Sequence, residues 1–209
     1  MKILPIILVI LAFAFCGTAG QAATIFSDNF NGEHGGIGQL NYTGFAKWSV
    51  SSGAVDLIGN GFFDFFPTSG LFLDLDGTTS KAGLLSSTPI ALAAGSYTVQ
   101  FALGGSHRGD TNSVHVTLGS FLNETFTLGS GDPLTTITRT ITVGGTTSAS
   151  LTFQNDGGDN VGAILDNVSV DSSAVVTEVP ESHSITMLAM GLVGIGILRR
   201  MAKSLRSSR

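Results

Sequence analysis

Charge is scarce in this 209-residue chain. Asp, Glu, Lys and Arg together make up 12% of it, about half the ~25% of an ordinary soluble domain. There is no basic surplus, since 10 Lys and Arg stand against 15 Asp and Glu. That balance leaves nothing to neutralise phosphate and excludes nucleic acid as a partner. Cysteine is nearly absent, with Cys16 alone, which excludes a disulfide framework and cysteine-ligated zinc. There is one Trp and there are two Tyr. No uninterrupted apolar run reaches the ~18–20 residues of an ordinary membrane helix. Disorder is excluded by the opposite excess, 43% hydrophobic residues, because such a chain can bury a core.

The mean hydropathy of +0.36 comes largely from the two ends. Residues 1–22 read as a secretory signal peptide. Lys2 is the basic start, residues 3–15 are apolar apart from Pro5, and Gly20-Gln21-Ala22 is a small-residue cleavage site. The chain is therefore expected to pass the Sec translocon and signal peptidase. At the other end, residues 174–184 form a linker holding Val179, Pro180 and Glu181. Residues 185–198 are uncharged and read as a short transmembrane helix. Residues 199–209 carry Arg199, Arg200, Lys203, Arg206 and Arg209, a tail that stays cytoplasmic by the positive-inside rule.

The middle, residues 23–173, reads as one all-β domain. Residues 24–177 hold only four basic side chains (Lys47, Lys81, Arg108 and Arg139) and a net charge of −9. Short alternating runs dominate. Leu71, Leu73 and Leu75 alternate with Phe72, Asp74 and Asp76; Tyr97, Val99, Phe101 and Leu103 alternate with Thr98, Gln100 and Ala102. Val114, Val116 and Leu118 alternate with His115 and Thr117, and Asp76-Gly77, Gly104-Gly105 and Gly157-Gly158 punctuate the runs. About ten short strands at this spacing predict an antiparallel β-sandwich.

The order Pro180-Glu181, Gly-rich apolar span and Arg199-Arg200 resembles the PEP-CTERM sorting signal. The same tail is also called an ice-binding protein C-terminal domain. The usual tripeptide is Pro-Glu-Pro, and here Ser182 holds the third place. The resemblance covers residues 178–209. It implies export by a Gram-negative bacterium, inner-membrane anchoring, and processing by exosortase, a membrane transpeptidase. Release to the cell surface or to an exopolysaccharide, biofilm-type matrix would follow. Short pieces of the middle, among them Leu73-Asp74-Leu75-Asp76-Gly77 and Leu165-Asp166-Asn167-Val168, resemble carbohydrate-binding jelly rolls.

Candidate chemistry is sparse. If the last strand alternates, Asp166 shares an apolar face with Ile164, Val168 and Val170, where a carboxylate needs a partner. The jelly-roll resemblance implies a structural calcium at Asp166, with Asp28 of the first strand as a second ligand. No other cofactor is expected. Asn155-Asp156-Gly157-Gly158-Asp159-Asn160 offers many oxygens, and a hairpin turn is its simpler reading. Phe62, Phe63, Phe65 and Phe66 are the candidate polysaccharide-binding residues, with a core strand as the alternative. Thr136, Thr138, Thr140 and Thr142 line one exposed strand face. Arg108-Gly109-Asp110 reads as a tied-down loop.

No catalytic residues stand out. There is no Gly-x-Ser-x-Gly elbow and no cysteine nucleophile in the middle. No carboxylate pair is singled out for glycoside hydrolysis. The sequence predicts a non-catalytic surface or matrix protein that binds carbohydrate. A purely structural surface protein and a polysaccharide hydrolase are the alternatives.

Overall fold

The computed structural model describes residues 22–79 and 81–173. The signal-peptide segment, the linker with Val179, Pro180 and Glu181, the span 185–198 and Arg199 and Arg200 lie outside the described residues. No helix among the described residues is long and apolar enough to cross a membrane.

Thirteen strands, numbered in chain order, build the described residues into an all-β sandwich. One sheet contains β1 (Ala23–Asp28), β3 (Asp56–Gly59), β4 (Leu71–Asp74), β7 (Gly95–Gly104), β10 (Thr135–Val143) and β13 (Ile164–Ser172). The facing sheet has the order β2 (Trp48–Ser51), β5 (Leu84–Ser87), β12 (Leu151–Asn155), β8 (Thr111–Leu118), β9 (Leu122–Gly129). A short ribbon pairs β6 (Ile90–Leu92) with β11 (Thr147–Ala149). All strand pairs are antiparallel, and the chain changes sheet at nearly every step, as in a jelly roll. Among the described residues, helix is limited to one 3-10 turn, Glu33–Gly36.

The alternation read from the sequence sets the core. Leu71, Leu73 and Leu75, then Tyr97, Val99, Phe101 and Leu103, and Val114, Val116 and Leu118 all point between the sheets. Phe101 of β7 meets Phe153 of β12 edge-to-face, with centroids 5.3 Å apart, so one ring pair bridges the two sheets. Trp48 is core, 4% exposed, and packs against Phe26 at 5.3 Å. At the rim, Arg139 of β10 binds Glu124 of β9 through Nε and Nη2. Its guanidinium also lies over Phe126.

Strand β13 is paired on both sides. Strand β7 runs along one edge for its whole length. On the other edge β4 pairs with Ile164 and Leu165, and β1 pairs with residues 168–172.

The face opposite Leu71, Leu73 and Leu75 is buried too, through Phe72, Asp74 and Asp76. Two sequence expectations change here. Asp166 does not share a face with Val168 and Val170. A bulge at Asn167, φ +50°, shifts the register between Asp166 and Ser169. It sends Val168 and Val170 into the core with Leu165 and leaves Asp166 in the row of Ala102. The run Asn155–Asn160 is not a hairpin turn, because it leaves β12 in one sheet and leads to β13 in the other.

Candidate functional site

The outer surface of β3, β4 and β13 carries a second, smaller apolar cluster of Ile58, Phe72 and Ile164. The loop between β3 and β4 folds over it. Gly59 and Phe62 exchange main-chain hydrogen bonds of 2.8 and 3.0 Å, which closes the loop at its start. Asp64 Oδ2 accepts from Gly61 N at 3.1 Å, and Asn60 Nδ2 donates to Gly36 O at 3.1 Å. The segment is thus held by its own polar groups.

This loop divides the four phenylalanines named as ligand candidates. Phe65 and Phe66 are half-buried and seal Ile58, Phe72 and Ile164 from water. Phe62 and Phe63 are 38% and 53% exposed, with rings 4.8 Å apart at 78°. The Phe62 ring rests on Gly38, where a Cβ would stand 2.5 Å from it. Two of the four are therefore available to a ligand and two are packing. A cleft of about 120 Å³ opens beside Phe63 and Phe65, with Asp56, Thr78, Arg108 and Asn160 on its polar side.

Sequence reasoning missed the polar half of this cleft. Asp56 and Asp74 face each other directly across β3 and β4, an unfavourable placement for like charges. Each is answered differently. Asp56 accepts from Asn41 N at 2.6 Å and Thr78 Oγ1 at 2.9 Å. Asp74 Oδ2 pairs with Arg108, whose Nη1 also donates to Asn160 O at 2.9 Å. Asp74 Oδ1 accepts from Asp76 N at 3.0 Å and Gly162 N at 2.9 Å. Burial outweighs these partners and pushes the Asp74 pKa up to about 7, with Asp56 adding repulsion. Arg108 also lies over Phe65, 5.4 Å from the ring centre. The Arg108-Gly109-Asp110 loop is tied down as expected: Asp110 accepts from Ser106 Oγ and Asn112 Nδ2.

Asp166 and Asp28 form a separate polar spot at the bulge. Asp166 is fully buried, and its two oxygens accept from Asn167 N at 2.7 Å and Asn167 Nδ2 at 2.8 Å. Burial pushes its pKa up to about 7; the Asn167 N–H opposes this and the charge of Asp28 adds to it. Asp28 accepts from Phe30 N at 2.9 Å and Trp48 Nε1 at 3.0 Å. The structure brings the two carboxylates near one another, in different rows. Asp28 pairs with Val168 in the core-facing row, and Asp166 pairs with Ala102. Each of the four carboxylate oxygens accepts one hydrogen bond.

Removing the indole donor tests this local account. Trp48→Phe keeps the ring packing but leaves one Asp28 oxygen without its partner. A loss of about 1–2 kcal/mol is expected, read as a fall of roughly 2–6 °C in melting temperature. An unchanged transition would mean that water replaces the bond at no cost.

The threonine row Thr136, Thr138, Thr140 and Thr142 is exposed on edge strand β10. Its neighbours on β7 in register are Ala102, Gln100, Thr98 and Ser96. Gln100 Nε2 donates to Thr138 Oγ1 at 3.1 Å. The row is therefore one edge of a wider polar face.

No family model and no curated protein matches this chain. Solved structures do resemble it in part. The K1 cleaved adhesin domain of Lys-gingipain from Porphyromonas gingivalis W83 is 14% identical, with a TM-score of 0.48, over 74% of this chain and 99% of that one. The CBM22-1 xylan-binding domain of Xyn10C from Paenibacillus barcinonensis is 11% identical, with a TM-score of 0.47, over 76% and 100%. The carbohydrate-binding module CBM6cm-2 of Cellvibrio mixtus lichenase 5A, in complex with cellotriose, is 17% identical, with a TM-score of 0.37, over 60% and 90%. These likenesses assign no function to the chain.

Proposed function

We propose that this chain is an exported, non-catalytic module that binds an extracellular polysaccharide at the edge formed by Phe62 and Phe63. The observation that carries the reading is the exposure of two adjacent phenyl rings on a loop closed by its own hydrogen bonds. Exposed aromatic rings offer flat apolar faces, and the C–H face of a pyranose ring is their natural complement. The cleft beside them adds Asp56, Thr78, Arg108 and Asn160 as hydrogen-bonding groups for hydroxyls. The mixture of an apolar wall with a few polar groups suits a neutral or weakly charged sugar chain.

Export and sorting belong to the same proposal. They rest on the signal-like residues 1–22 and on the Pro180-Glu181, apolar span and Arg199-Arg200 order. In this reading exosortase processes the tail, and the sandwich reaches the surface or matrix. The calcium implied at Asp166 and Asp28 enters only as a structural ion, and the Asp166→Asn arm below tests it.

Affinity electrophoresis against a panel of soluble polysaccharides tests the binding face. At least one polysaccharide is expected to retard the protein. Phe63→Ala should weaken that retardation by about tenfold or more, in line with the ~1–3 kcal/mol of a well-packed aromatic anchor. Phe66→Leu should leave it nearly unchanged. Full retention in a Phe62→Ala, Phe63→Ala double variant would overturn the assignment of this edge. Release of reducing sugar by the wild type would favour the hydrolase alternative.

A further inference from the structure

The polar face of β4 continues into a buried carboxylate that makes no hydrogen bond of its own. Asp76 is fully buried, and neither Oδ1 nor Oδ2 has a hydrogen-bond partner. Its neighbours on the same face, Asp56 and Asp74, are each satisfied by several donors. An ionised carboxylate buried without a partner is among the costliest arrangements a fold can hold. Burial pushes the Asp76 pKa up to about 6; the charges of Asp159, Asp156 and Asp56 add to the rise, and the nearby Asp159 main-chain N–H opposes it.

The groups facing Asp76 are themselves acidic. The connection from β12 to β13 passes over it, and a methyl on Gly157 would come within 3.6 Å of Asp76 Oδ2. Asp156 uses Oδ1 to accept from Ser113 N at 3.1 Å, and Asp159 uses Oδ1 to accept from Val161 N at 2.8 Å. The second oxygen of each is uncommitted among the described residues. The nearby cation, Arg108, is taken by Asp74 and Asn160 O. Lys81 lines a hollow beside Asp156 and makes no ion pair with it.

We infer that Asp76, Asp159 and Asp156 hold a hard divalent cation of calcium size beneath the β12–β13 connection. Main-chain carbonyls of residues 156–160 and water complete its shell. The donors are all oxygen, which selects against zinc and copper. A loop rich in Gly and Asn gives the irregular, six-to-eight-fold coordination that calcium accepts and magnesium resists. Among the described residues no three acidic or imidazole groups already stand around one point. Binding therefore requires the side chains of Asp156 and Asp159 to turn toward Asp76. The site is distinct from the Asp166 and Asp28 pair, whose oxygens all have donors.

The test is calcium titration of the full-length protein after chelator treatment, with no polysaccharide present. Isothermal calorimetry and thermal melting are the readouts. Saturable calcium binding and a calcium-dependent rise in melting temperature are expected, with magnesium at the same concentration giving a smaller rise. Asp159→Asn, on the exposed loop, should weaken calcium binding at least tenfold while the far-ultraviolet circular dichroism stays native. Asp76→Asn should do the same and should also blunt the melting rise. Asp166→Asn should keep the binding. The inference is overturned by no calcium binding in the wild type, or by binding that survives in both Asp159→Asn and Asp76→Asn. Binding lost in Asp166→Asn alone overturns it in favour of the bulge. Because sugar is absent, none of these results depends on the polysaccharide reading.

Discussion

Phe101→Ala is expected to lower the melting temperature by about 10 °C or more, the largest stability effect of any single core truncation considered for this fold. Phe101 is fully buried in the middle of β7, the strand that joins β10 to β13. Its ring touches Phe153 of the opposite sheet at 5.3 Å and Phe126 of β9 at 5.6 Å, both edge-to-face. Truncation removes the ring and leaves a cavity between two sheets that cannot close without moving a strand pair. Such changes cost about 3–5 kcal/mol. Phe101→Leu fills most of the space and should lose less than half as much. The double variant with Phe153→Ala should cost less than the sum of the two singles, by about 0.5–1.5 kcal/mol, because the ring pair is lost only once. Thermal unfolding followed by circular dichroism measures all three. A drop under about 3 °C for Phe101→Ala would show that this ring pair does not bridge the sheets.

Gly59→Ala should damage both the fold and the binding edge. Gly59 has φ +112°, a conformation that side chains rarely adopt. A Cβ there would lie 2.1 Å from Gly70 O, at the end of the β3–β4 ladder. Backbone strain contributes about 1–3 kcal/mol, and overpacking a similar amount. The loop that presents Phe62 and Phe63 starts from the same residue, through its paired bonds to Phe62. A loss of roughly 3–5 kcal/mol is expected, together with weaker polysaccharide retardation at temperatures where the variant remains folded. Gly61, with φ +84° but open space around its Cβ position, is the control. Gly61→Ala should cost less, since it meets the backbone strain without the contact. Equal losses at the two positions would mean that conformation, not the Gly70 contact, dominates.

Much of the core was legible in the sequence because period-2 alternation is a local property. The runs at Leu71–Leu75, Tyr97–Leu103 and Val114–Leu118 chose their inward faces correctly. The burial of Phe72, Asp74 and Asp76 was hidden because it depends on the paths of connections, which alternation within a strand does not specify. The β3–β4 loop covers Phe72, and the β12–β13 connection covers Asp76. The bulge at Asn167 was hinted at by an Asn in the middle of a strand, a residue type that accepts positive φ. Alternation alone carried Asp166 to the wrong face.

The aromatic loop was legible in part. Four phenylalanines in five residues marked it, but a loop has no period to say which rings face solvent. Arg108 could be placed in a fixed loop, whereas its partner Asp74, 34 residues earlier, could not be found by spacing. The acidic run at Asn155–Asn160 looked like ordinary turn chemistry. Its partner is a single remote carboxylate, Asp76, and only the assembled fold puts the two together.

The double pairing of β13 also fixes an order of events. Synthesis runs from the N-terminus, so residues 164–172 are made last within the domain. Until they emerge, β1 and β4 have no neighbour on that edge and β7 lacks one of its two. The contacts that finish the sheet span most of the domain's sequence, as in the pairing of Ala23 with Ser172. Long closures of this kind are slow relative to local ones. A ribosome-bound fragment ending before residue 164 has every strand of the facing sheet but lacks the one that joins β1, β4 and β7, so this sheet is completed last.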